Sequence, residues 1–95
     1  ATTYVQQVQG GSRIGPEVAL LSEYGRLYEA GNDRRRAESS FLRAYEIARD
    51  GVGASNPVTL AALGRLAAFG DRVGDTARAR AWRADSSRDA ARAPR

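Results

Sequence analysis

The stretch Leu21-Ser22-Glu23-Tyr24-Gly25-Arg26-Leu27 recurs as Leu60-Ala61-Ala62-Leu63-Gly64-Arg65-Leu66, an offset of 39 residues from Leu21 to Leu60. Leu, Gly, Arg and Leu coincide, and Tyr24 and Leu63 share apolar character. An internal repeat with a period of about 20–50 residues marks a chain built from stacked supersecondary units. Such an array works by presenting a surface to a partner, so a binding face is sought before a catalytic pocket.

Punctuation divides the chain. In residues 1–15, Tyr4, Val5 and Val8 lie among polar residues before Gly10-Gly11, and their spacing suits a short helix or a strand equally. Pro16 opens the first clear helix, where a missing N–H is harmless. Val18, Leu21, Tyr24, Gly25 and Tyr28 then give an apolar stripe, and Gly31-Asn32-Asp33 stops it, with Asp33 placed to cap the next helix. That second helix is predicted from about Arg34 to Arg49, burying Ala37, Phe41, Ala44, Tyr45 and Ala48. Residues 50–55 read as a loop. Asn56-Pro57 starts a third helix, with Leu60, Leu63, Gly64 and Ala67 facing inward and Ala68 and Phe69 near its end. Gly70 to Gly74 reads as a turn, and Asp75 or Thr76 caps a fourth helix carrying Ala77, Ala81 and Trp82, with its end near Ala91 and a tail over 92–95.

The spacing of Leu21, Tyr24, Gly25 and Tyr28, then Ala37, Phe41 and Ala44, resembles the signature of the tetratricopeptide repeat. The likeness is greatest to the longer repeats of the kinesin light chain type, through Ala37-Glu38, Phe41, Arg43-Ala44-Tyr45-Glu46-Ile47 and the prolines Pro16 and Pro57. It covers residues 16–86. The second repeat fits only with about three extra residues in its turn, which places Ala79 where Ala37 stands and Trp82 one position from the expected aromatic. The resemblance implies an all-α fold of two tandem helix-turn-helix hairpins, over about 16–50 and 56–91, forming a short right-handed α-solenoid. Within it, glycine in a helix interior, about 1 kcal/mol worse than alanine, marks Gly25 and Gly64 as places where two helices approach closely.

In tetratricopeptide arrays the first helices of successive repeats line a concave groove for a peptide or partner segment. By position, the resemblance implies groove residues Ala19, Ser22, Arg26 and Glu29, followed by Ala61, Arg65 and Ala68. Kinesin-light-chain-type repeats often place backbone-binding asparagines here; this chain has Ser22-Glu23 and Ala61-Ala62. The Arg26–Arg65 pair suits carboxylates through bidentate hydrogen bonds, which points to an acidic partner or a C-terminal carboxylate; a solvated face, or pairing with a neighbouring Glu, is the structural alternative.

Among 95 residues there is no Cys, His, Lys or Met, and all fifteen basic residues are Arg. Thiolate, imidazole and Schiff-base chemistry are thereby removed, so the reading is non-catalytic, with no cofactor and no metal. No apolar run reaches the ~20 residues of a membrane span. The net charge of +4 and the run Arg34-Arg35-Arg36 raise nucleic-acid binding as an alternative, although no aromatic residues interleave with the patch and eleven acidic residues are scattered through the chain. Self-association is the other alternative. Two repeats are fewer than the ~3 that usually stack independently; Phe69 and Trp82 are the bulky candidates for an end contact, with burial within their own repeat the reading preferred for both. The absent Met and the leading Ala1 lean towards an exported, periplasmic bacterial chain whose signal has been removed, and otherwise towards the cytoplasm.

Overall fold

The computed structural model describes residues 14–92. They form four helices and no strand: α1 (Ile14–Ala30), α2 (Arg34–Val52), α3 (Pro57–Arg72) and α4 (Thr76–Arg92). Each helix packs on its predecessor, and α3 also meets α1. The expectation for Tyr4, Val5 and Val8 lies outside the described residues. α1 starts two residues before Pro16, which therefore sits in the first helical turn, where no intrahelical N–H bond is lost. α2 runs three residues past Arg49 and takes in Gly51 and Val52, so the expected loop shrinks to residues 53–56.

Two turns of one design join α1 to α2 and α3 to α4. At the first, Asn32 adopts the left-handed conformation (φ 63°) and the Asp33 N–H reaches back to the Tyr28 carbonyl at 2.9 Å. At the second, Gly74 (φ 85°) and the Asp75 N–H, 2.8 Å from the Gly70 carbonyl, do the same. This is the Schellman arrangement, which satisfies a carbonyl that the helix end would leave unpaired. Each Asp then caps the helix that follows: Asp33 accepts from the Arg36 N–H at 3.1 Å and Asp75 from the Arg78 N–H at 3.0 Å. Asn56 caps α3 through the Val58 N–H at 2.9 Å, with Pro57 behind it. Such a cap contributes about 1 kcal/mol.

These turns set a structural offset of 42, from Asp33 to Asp75 and from Ala37 to Ala79, so the phrase repeated at 39 is out of register by three residues. A three-residue slip on a 3.6-residue helix rotates a side chain by only about 60°, which is how an apolar phrase can match while its contacts differ. Gly25 is buried, and a methyl group there would fall 2.8 Å from the Phe41 ring. Gly64 is exposed, and a methyl group there would meet nothing within 4 Å among the described residues, which overturns its expected close approach.

The core centres on α2, whose predicted stripe of Ala37, Phe41, Ala44, Tyr45 and Ala48 is buried throughout. The Phe41 and Phe69 rings meet at 5.5 Å with a 41° tilt. Their full burial stabilises the fold by roughly 1.5–3 kcal/mol each. α3, with neighbours on three sides, buries Thr59, Ala62, Leu63, Leu66, Ala67, Phe69 and Gly70. Other expected core positions are corrected. Tyr24 and Leu60 are 45% and 48% exposed, because α1 turns Val18, Ser22 and Gly25 inward and α3 turns Thr59 inward. Ala77 and Ala81 face solvent, and among the described residues α4 instead buries the narrow stripe Ala79 and Ser86, packing chiefly on α3. Gly70 belongs to the α3 helix rather than to a turn, against Ala79 and Trp82.

Candidate functional site

α1 and α3 run side by side, and a groove lies between their N-terminal halves. Gly15, Val18 and Ala19 line it from α1, and Pro57, Val58, Ala61 and Arg65 from α3, enclosing about 310 Å³. The space exists because the opposed positions are small: apart from Arg65, the described lining residues are Gly, Ala, Val and Pro. Arg65 is half-buried, and its Nη1 donates to Ser22 Oγ at 3.3 Å. Ser22 is 3% exposed, and its hydroxyl donates in turn to the Val18 carbonyl at 2.7 Å. The serine therefore spends its proton on its own helix and offers oxygen lone pairs to the guanidinium.

Further along the same seam, Arg72 donates from Nε and Nη2 to the two carboxylate oxygens of Glu29, both at 2.8 Å. The paired hydrogen bonds from Arg72 hold the Glu29 carboxyl below the usual carboxylate range, and the same bonds raise Arg72. The α1–α3 seam is thus fastened by a bidentate ion pair at one end and open as a groove at the other.

The expected groove residues divide. Ala19, Ala61 and Arg65 line the groove; Ser22 lies beneath it as a support for Arg65. Glu29 is occupied by Arg72, and Ala68 is half-buried between Arg65 and Arg72 along α3. Arg26 is exposed and pairs with Glu23 at 3.2 Å, so the two repeated arginines have different partners. Their separation follows from the offset of 42, which sets Arg26 opposite Ala68 in the repeat and Arg65 opposite Glu23.

Among the described residues seven arginines (26, 36, 49, 72, 78, 83 and 88) hold carboxylates. Arg65 holds none among the described residues. Within the basic run, Arg36 is engaged with Asp33 at 3.5 Å and lies 5.8 Å over the Tyr28 ring, while the exposed Arg34 and Arg35 have no ion pair among the described residues. For the two bulky residues the preferred reading, burial within their own repeat, agrees with the structure. Phe69 is 1% exposed, and Trp82 is half-buried under Gly70 with Arg78 at 5.1 Å over its ring. Sequence reasoning missed the Glu29–Arg72 and Ser22–Arg65 ties, which share a spacing of 43 residues. It also missed the Arg78–Glu38 bridge from α4 to α2 at 2.9 Å. Among the described residues no helix is long and apolar enough to cross a membrane.

Comparison of the chain with models of protein families, with curated proteins and with solved structures finds no match.

Proposed function

We propose that the chain is a non-catalytic interaction module, a short tetratricopeptide-like α-solenoid, whose α1–α3 groove takes an extended peptide segment ending in, or carrying, a carboxylate. One observation carries the reading: Arg65 stands half-buried at an apolar groove with a single neutral acceptor, Ser22 Oγ, and no carboxylate among the described residues. A guanidinium has five N–H donors in a planar fork, so most of this one is unspent. A partner carboxylate would complete it in the bidentate geometry that Arg72 already makes with Glu29. The small walls at Ala19 and Ala61 admit a backbone with modest apolar side chains, and the Ser22 hydroxyl holds the fork in place beforehand.

The test is fluorescence polarisation with labelled peptides that have an apolar body, comparing a free C-terminal carboxylate with a C-terminal amide. Binding of the carboxylate form should weaken at least tenfold in Arg65→Gln, corresponding to about 1.4 kcal/mol, and should persist in Arg26→Gln. Ala61→Leu should block the groove with Arg65 intact. Undiminished binding in both Arg65→Gln and Ala61→Leu would refute the reading. Steeply salt-dependent binding of short DNA or RNA that is lost in Arg34→Gln with Arg35→Gln would replace it with the nucleic-acid alternative.

A further inference from the structure

The face of α1 turned away from the core carries Leu20, Tyr24 and Leu27, which are 53%, 45% and 61% exposed. Their spacing of four and three residues sets them in one stripe over about two turns, opposite the buried Val18, Ser22 and Gly25. Scattered exposed apolar residues need no explanation, but here three large ones align on a single helix. The charges around the stripe are arranged with a sense. Glu17 lies at the N-terminal end of α1 with no ion pair among the described residues, and Arg34 and Arg35 lie just past its C-terminal end, also without one. Glu23 and Arg26 run along the flank, near the middle of the stripe.

We infer that α1 is an isologous interface on which a second copy of this chain docks, with the two α1 helices antiparallel. A two-fold axis near Tyr24 sets Leu20 of one copy over Leu27 of the other, and the reverse, covering the stripe completely. The same operation carries Glu17 of each copy to the Arg34–Arg35 end of the other. It also lets Glu23 and Arg26, paired within one copy at 3.2 Å, exchange partners across the axis. A parallel arrangement would bring Glu17 to Glu17 and arginine to arginine, so the charges choose both the partner and its direction. The groove lies on a different face of α1, at Gly15, Val18 and Ala19, and stays open in the dimer. One helix pair buries little surface beside a standard interface, so the dimer should dissociate on dilution.

Sedimentation velocity on the full chain over a range of concentrations should show a species of twice the 10.2 kDa chain mass. In Leu27→Arg that species should disappear while the far-UV circular dichroism stays unchanged. Glu17→Arg should weaken the dimer about tenfold, and adding Arg35→Glu should restore it. Because the chain has no cysteine, Tyr24→Cys supplies a single thiol next to the axis, and mild oxidation should link two copies. Leu60→Cys, equally exposed on α3, should link far more slowly. A chain that is monomeric at every concentration, a dimer indifferent to Leu27→Arg, or equal cross-linking through the two thiols would each overturn the inference.

Discussion

Replacing Gly64 with alanine should raise stability and replacing Gly25 should not, although the two glycines occupy the same place in the repeated phrase. A helical Gly→Ala change gains about 1 kcal/mol in backbone propensity. At Gly64 the new methyl group meets nothing within 4 Å, so the gain is kept. For a domain of this size it raises Tm by roughly 4–8 °C. At Gly25 the methyl carbon falls 2.8 Å from Phe41 Cε1 and Cζ and 2.9 Å from Cδ1, against the ~3.5–4.0 Å at which carbons rest. The ring cannot yield freely, being 1% exposed and set against Phe69 at 5.5 Å. Overpacking of this kind costs about 1–3 kcal/mol, enough to cancel or reverse the propensity gain. The two variants should therefore differ by about 1–3 kcal/mol in thermal and urea melts followed by circular dichroism. Phe41→Leu in the Gly25→Ala background should recover stability, with a coupling of about 1 kcal/mol or more. Equal gains at both glycines, or no coupling to Phe41, would refute the close-approach argument.

The Tyr45 hydroxyl is buried without a hydrogen-bond partner among the described residues, so Tyr45→Phe should leave stability unchanged or raise it by about 1 kcal/mol, read as a higher urea midpoint. Asp33→Ala removes the cap on the Arg36 N–H at a position that three arginines already load against the helix dipole, and should lower stability by about 0.5–2 kcal/mol. Glu29 titrates lower in the folded chain than in the unfolded one, so its pairing with Arg72 supports the fold fully above the ordinary carboxylate pKa of about 4.3. That support is lost as pH falls through the folded value. The gap in stability between wild type and Glu29→Gln should be present at neutral pH and close in acid; a gap that persists unchanged in strong acid would exclude this origin.

Turn chemistry and the α2 stripe were legible in the sequence because local rules determine them. Asn32, Asp33, Asn56, Pro57 and Asp75 act where capping and left-handed preferences place them, and the five α2 residues repeat at a period only a helix supplies. Which face α1 and α3 turn inward was not determined locally. Leu21-Tyr24-Tyr28 and Val18-Ser22-Gly25 are both helical stripes, and the choice between them is settled by how closely Phe41 can approach a glycine. The groove was half legible. Ala19, Ala61 and Arg65 follow from the positions that the resemblance carried over, but the ties from Ser22 to Arg65 and from Glu29 to Arg72 depend on how α1 and α3 slide past one another. The phrase repeated at 39 residues misreports the offset of 42, which the alignment of Ala79 with Ala37 already gives.

Asp33 and Asp75 each finish one helix with the backbone and begin the next with the side chain, which leaves no slack in either connection. Each turn therefore acts as a phase lock between its two helices. One residue added between Gly31 and Asp33 would advance α2 by about 100° about its own axis and swing Phe41 away from Gly25. In the connection over residues 53–56 no single residue both ends one helix and caps the next: Gly53 ends α2 and Asn56 caps α3, and the two are tied through the Gly53 carbonyl, which accepts from the Thr59 hydroxyl at 2.6 Å. Extra length should be absorbed there, with each hairpin kept intact.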